Sequence, residues 1–164
     1  MKEIDYLKSE YHDHRHWGLD DRSKKILECF DKYIDKNDSI LELGCSSGRN
    51  LVALYNVGYK NLTGLEMYPI KERDEFKLIR GRYEDNELGE YDVVFSASFI
   101  QEFEEVPSKE LTKTLEKTKK YFMVFGDLIR NERVFDELLK EWKPVEKSND
   151  NAFSQPIRIY ARTN

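Results

Sequence analysis

The sequence is poor in cysteine, has no long apolar run, and carries no excess of positive charge. Its 164 residues include only two cysteines, Cys29 and Cys45. Two are too few for a disulfide framework, so a reducing, cytoplasmic setting is the expectation. The start, Met1-Lys2-Glu3-Ile4-Asp5-Tyr6, has no apolar signal region, and no stretch reaches the length needed to cross a bilayer. No membrane association is therefore expected. A formal net charge of −5 provides no basic footprint for an extended nucleic-acid groove, which makes a nucleic-acid partner unlikely. There is no internal repeat and no low-complexity linker. What remains is a chain of one-domain length, 39% hydrophobic and 13% aromatic, too rich in aromatics for a disordered polymer.

Residues 1–20 are polar and aromatic without periodicity, and form an N-terminal segment distinct from 21–164. From there a helical pattern places Ile26, Leu27, Phe30 and Ile34 on one face. Strands and helices then alternate. Strands are expected at 39–45, 62–67, 77–80, 91–98 and 121–126. Helices are expected at 50–57, 108–119 and 131–142, with a short one at 69–75. Such alternation predicts βαβ units and a mostly parallel sheet with helices on both faces. The last two strands, at 143–147 and 156–162, have no helix between them, so an antiparallel pair at one sheet edge is predicted.

In open α/β sheets ligands bind outside the carboxyl ends of the strands. Four of these ends carry polar groups: Glu42 to Ser47, Glu66, Ser96 to Ser98, and Asp127. The first is Ser39-Ile-Leu-Glu-Leu-Gly-Cys-Ser-Ser-Gly-Arg-Asn50, an apolar strand that breaks into a glycine turn and opens a helix. Gly44 and Gly48 remove β-carbons from the turn, which lets a ligand approach the backbone. A dinucleotide fingerprint would need glycine at positions 46 and 49, where Ser46 and Arg49 stand, so a nicotinamide site is excluded on spacing. Glu66 ends the second strand, where a carboxylate can accept both hydroxyls of a ribose.

Glu42-Leu-Gly-Cys-Ser-Ser-Gly48 resembles the acid-x-Gly-x-Gly-x-Gly motif of class I S-adenosylmethionine-dependent methyltransferases, with Ser46 in place of the middle glycine. The strand Tyr91-Asp-Val-Val-Phe-Ser-Ala-Ser98 and the closing strand pair are similar to that family as well. The resemblance implies a single-domain, α/β, Rossmann-like methyltransferase sandwich with a seven-stranded sheet, and S-adenosylmethionine as cofactor. It implies that Glu42, Gly44, Cys45, Ser46 and Gly48 hold the methionine portion, with the Ser96 backbone near the same amino group. Glu66 would take the ribose and Met67 the adenine face. Many relatives carry an aspartate after the third strand that reads the adenine amino group. Here Arg82 stands at that position in Gly81-Arg-Tyr-Glu-Asp85, so Glu84, Asp85 or the backbone of Tyr83 takes over.

The acceptor side is less marked. The Asn/Asp-Pro-Pro-aromatic motif of exocyclic-amine nucleic-acid methyltransferases is absent, as is a Pro-Cys nucleophile. The resemblance therefore implies transfer to an oxygen or nitrogen of a small-molecule acceptor. Where many such enzymes have a histidine, this chain has Gln101 and Glu102, and Glu102 is the candidate general base. The alternative is a lapsed module that binds the cofactor as a sensor or partner subunit. His12, His14 and His16 alternate, but no accompanying ligand set makes them a metal site, and no metal is expected. Family architecture suggests instead that residues 1–20 lid the cofactor, with Arg15 or His16 at its carboxylate and Tyr11 or Trp17 over the acceptor pocket.

Overall fold

The computed structural model describes residues 21–100, 103–126, 131–148 and 156–163. Gln101, Glu102, Asp127 and the segment 1–20, with its histidines and its expected lid, lie outside the described residues. Helix α1 (Asp21–Tyr33) leads into β1 (Ile40–Leu43), α2 (Arg49–Asn56), β2 (Leu62–Glu66) and β3 (Lys77–Arg80). One 3₁₀ turn (Tyr83–Asp85) precedes β4 (Tyr91–Ala97), α3 (Ser108–Lys117) and β5 (Thr118–Phe125). The chain closes with α4 (Glu132–Leu138), β6 (Lys143–Ser148) and β7 (Ile157–Ala161).

The strands form one seven-stranded sheet in the order β3-β2-β1-β4-β5-β7-β6. The first five run parallel, and β7 inserts antiparallel between β5 and β6. The expected mostly parallel sheet with an antiparallel pair at one edge is thus the observed one. Strand alternation splits the core in two. Ile40, Leu62, Phe95, Met123 and Ile159 point to the face covered by α1 and α2, where Ile26, Phe30, Leu51 and Leu54 meet them. Leu41, Leu43, Leu65, Val94, Phe122 and Val124 point to the other face, under Leu111 and Leu115 of α3 and Phe135 of α4. At the centre of the first layer Phe30 meets Phe95 edge-on, with ring centroids 5.2 Å apart.

Three local expectations differ from the structure, one of them the last helix, expected at 131–142 and ending at Leu138. Residues 69–75 form no helix. Between β2 and β3 the buried apolar side chains are Ile70 and Phe76. Six positions apart, these cannot share a helical face, so there is no amphipathic stripe to bury. Helix α3 stops at Lys117 and the strand starts at once with Thr118, earlier than the pattern predicts. Arg162, from the far end of the chain, donates Nη1 to the carbonyls of Leu115 (2.6 Å) and Thr118 (3.0 Å). It satisfies acceptors that the helix end leaves open. No helix among the described residues is long and apolar enough to cross a membrane.

Candidate functional site

The polar strand ends converge at the carboxyl edge of the sheet. Glu42 pairs in register with Gly64 of β2 and Phe95 of β4. It is two residues along from Ile40, and so faces the α1/α2 side. Glu66, two beyond Gly64, faces the same way by the same alternation. Both carboxyls are buried. Glu42 Oε1 accepts from Asn50 Nδ2 at 2.8 Å, whereas Oε2 is buried with no hydrogen-bond partner among the described residues. Burial pushes the Glu42 pKa up to about 8, against the lowering influence of Asn50 and the Arg22 charge, and Glu66 adds to the rise.

Glu66 is used differently. Its Oε2 accepts the backbone N–H of Ser46 at 2.7 Å, and its Oε1 that of Tyr68 at 3.0 Å. The first bond holds the turn after β1 in shape, including Ser46 at φ +52°. Each carboxylate oxygen accepts more than one donor, so Glu66 still has capacity on its outer side.

At Gly44 and Gly48 the space left by the missing β-carbons is taken by rings of the chain itself. A β-carbon on Gly44 would fall 2.3 Å from the Phe99 ring, and one on Gly48 would fall 2.2 Å from Phe76. Their φ values of +65° and +85° also favour glycine. The first role of these glycines is therefore to seat two aromatic rings against the turn.

Two cavities meet at Gly44. The polar one, about 30 Å³, is lined by Arg22, Glu42, Cys45, Ser47, Arg49 and Asn50 among others. Ser47 Oγ is a second buried atom there with no partner among the described residues. Burial, with Glu42 and Glu66 nearby, pushes the Cys45 thiol well up, so it lines the wall as a neutral group. Arg22, in the first turn of α1, donates Nη2 to Ser98 Oγ at the end of β4. Ser98 sits at φ +60°, an unusual backbone for a non-glycine residue. The second cavity, about 110 Å³ and mostly apolar, is lined by Leu65, Met67, Arg82, Tyr83, Phe99 and Phe103 among others. Tyr83 and Phe99 meet edge-on at 6.2 Å. Met67 is 45% exposed, an unusual position for a large apolar side chain.

The expected cofactor residues thus divide between the cavities: Glu42, Gly44, Cys45 and Ser46 border the polar one, Met67, Arg82 and Tyr83 the apolar one. Gly48 supports the turn beneath, and Glu66 ties the turn to β2. Ser96 is fully buried in β4, its Oγ accepting the Ile100 N–H at 3.2 Å, and the next residue, Ala97, lines the polar cavity. Glu84 borders both the apolar cavity and a separate groove, and Asp85 borders the groove alone. That groove, about 300 Å³, lies between the 3₁₀ turn and α3. Its floor groups, Tyr83 Oη and Thr114 Oγ1, already bond to each other at 2.6 Å, so it offers a ligand no unanswered buried group.

Arg22, Asn50, Phe99 and Phe103 were not evident as site residues from sequence. Asn50 carried a usable signal, as the polar second residue of the helix that follows the glycine turn. Arg22 carried none, because only packing of α1 across the sheet brings it to the end of β4. In chemical terms the edge presents an acid beside a guanidinium, then a carboxylate with outward acceptor capacity, then an apolar aromatic slot. That sequence complements a zwitterionic group, a diol and a flat ring in a row. Among the described residues no cluster of His, Cys, Asp and Glu could hold a metal ion.

No protein-family model matches the chain, and no curated protein does either. Solved structures do. Magnesium protoporphyrin IX methyltransferase from Synechocystis PCC 6803 with bound SAH superimposes with a TM-score of 0.70 at 10% identity, over 97% of each chain. The CcbJ methyltransferase from Streptomyces caelestis gives 0.67 at 14% identity, over 99% of this chain and 100% of its own. The glycopeptide N-methyltransferase MtfA in complex with S-adenosyl-L-homocysteine gives 0.70 at 13%, over 92% and 93%. At such identities the likeness is one of fold, and it extends over nearly the whole chain.

Proposed function

We propose that this chain, which has the class I, Rossmann-like methyltransferase fold, binds S-adenosylmethionine and transfers its methyl group to an oxygen or nitrogen of a small-molecule acceptor. The observation that carries the reading is the row of complementary groups along the strand ends. The orphaned Glu42 Oε2 suits the α-ammonium, and Arg22 beside it suits the α-carboxylate. Glu66 suits the ribose hydroxyls, and the slot between Met67, Tyr83, Phe99 and Phe103 suits the adenine. The cofactor residues expected from sequence are part of this proposal.

When bound, the cofactor supplies an electrophilic methyl on a sulfonium, which needs an acceptor aligned in line with it more than it needs a strong base. The chain's own contribution is alignment. The β1 turn, braced by Phe76, Phe99 and the Glu66–Ser46 bond, fixes the backbone near the reacting centre. Arg22, which bonds Ser98 at the rim of the polar cavity, is the residue that would hold the carboxylate. Glu102 is the residue proposed as acceptor-side base. Support for a small acceptor comes from the net charge of −5 and from fold neighbours named for a porphyrin and a glycopeptide.

One observation favours the reading of a binding module without transfer activity. Where many such enzymes have a histidine after the fourth strand this chain has Gln101 and Glu102, and Arg82 stands where many have an adenine-reading aspartate. Isothermal titration with S-adenosylmethionine, followed by a methyl-release assay over small-molecule acceptors, separates the two. Binding with turnover supports the enzyme, and binding without turnover on any acceptor supports the module. No binding overturns both.

A further inference from the structure

Glu42 sits where an ionised carboxylate is costly. Its ladder neighbours are a bare glycine, Gly64, and an aromatic, Phe95. The amide of Asn50 answers one oxygen at 2.8 Å, and the other is buried and unanswered among the described residues. The charged and titratable groups around it come from every surrounding element. Arg22 on α1 is engaged with Ser98, Glu66 ends β2, Cys45 stands in the turn, and Arg49 opens α2. One guanidinium directed at a neighbouring hydroxyl does not offset the burial. Burial with one answered oxygen thus favours the neutral acid and raises the pKa to about 8.

The geometry also places the proton. An amide N–H donates to Oε1, which suits Oε1 as the carbonyl oxygen and leaves the hydrogen of the neutral acid to Oε2. An ammonium has donors and no acceptor, so beside it the Oε2–H hydrogen finds no partner, and the ionised carboxylate is the stronger acceptor.

We propose that loading the site with the cofactor's amino-acid end expels the Glu42 proton to solvent and leaves a buried carboxylate–ammonium pair. The inference rests on the cofactor reading above. The Oε2–H bond breaks heterolytically, the proton passes to water or buffer, and no electrons are exchanged. Cofactor affinity is therefore coupled to pH through one residue. It rises by up to about tenfold per pH unit while Glu42 is neutral in the empty protein, then levels once Glu42 ionises unaided.

The test is titration of the full chain with S-adenosylhomocysteine at about pH 6.5 in phosphate and in Tris, whose ionisation enthalpies differ. The difference in binding heat counts protons. About one proton released is expected, declining as the pH passes about 8. Glu42→Gln should abolish the release and flatten the affinity against pH. Infrared difference spectra of the unmodified protein provide a second readout that does not depend on the folding of the variant. The carbonyl band of a neutral carboxyl should vanish when S-adenosylhomocysteine is added. Binding whose heat ignores the buffer, a carboxyl band that persists, or release that survives in Glu42→Gln each overturns this inference and leaves the cofactor reading standing. No binding at any pH overturns the cofactor reading and this inference with it.

Discussion

Ser46 donates its backbone N–H to Glu66 Oε2 across 2.7 Å, tying the turn after β1 to the end of β2. The two residues are twenty positions apart, and neighbouring parallel strands bring them together. Through this bond one carboxylate shapes the turn while its outer side stays available to a ligand. The bond also supports Ser46 in a left-handed backbone, which costs a non-glycine residue roughly 1 kcal/mol or more.

Glu66→Ala should lower affinity for S-adenosylhomocysteine by about tenfold to a hundredfold, the worth of one charge-assisted hydrogen-bond site. Titration calorimetry reads this directly. Unchanged affinity would remove Glu66 from the ribose site.

Arg22→Met separates the two ends of the ligand. Affinity for S-adenosylhomocysteine should fall about tenfold or more. Affinity for 5′-methylthioadenosine, which lacks the amino-acid end, should stay the same. An equal loss for both would place Arg22 outside the carboxylate position.

Gly44→Ala pushes a β-carbon into the Phe99 ring at a φ of +65°. Overpacking and backbone strain together should destabilise the fold by about 2–4 kcal/mol in urea unfolding. The double variant Gly44→Ala/Phe99→Ala should be less unstable than the sum of the single variants by at least about 1 kcal/mol. Additive losses would mean that the ring and the glycine do not oppose each other.

The stability of the empty protein should fall as pH rises between about 4.5 and about 8. Glu42 keeps its proton to higher pH folded than unfolded, so its contribution is complete below the unfolded value and lost on the way to the folded one. Asp92 acts in the opposite sense. Burial raises its pKa, but hydrogen bonds from the Ser39 N–H and hydroxyl, with Lys120 and Lys119 nearby, bring the net value below the ordinary range. Its contribution is lost only in strong acid. Thermal melts across this range should show the Glu42 decline, and Glu42→Gln should flatten it.

Asn50→Leu removes the donor that lowers the Glu42 pKa. The pH at which cofactor-linked proton release fades should then move above about 8. A shift to lower pH would contradict Asn50 as the donor that stabilises the ionised Glu42.

Much of the fold was legible because its signals are local. The apolar run Ile40 to Leu43, the glycine turn behind it and the helical stripe Ile26, Phe30, Ile34 each follow from neighbouring residues. The missing helix at 69–75 and the early end of α3 were not legible. The first depends on which side chains find a surface to cover, and the second on an arginine 47 residues away from Leu115.

The sequence by itself determined the alternation of strands and helices, the position of the glycine turn and the two acids at the strand ends, because alternation and glycine spacing are properties of adjacent residues. Only the tertiary structure decided what those acids do. Burial between Gly64 and Phe95 makes Glu42 a neutral acid with one unanswered oxygen. Two backbone N–H groups make Glu66 a brace for the turn. It also brought Arg22 to Ser98 across 76 residues. Desolvation and hydrogen-bond partnership depend on everything that surrounds a group, and most of those surroundings are distant in the chain.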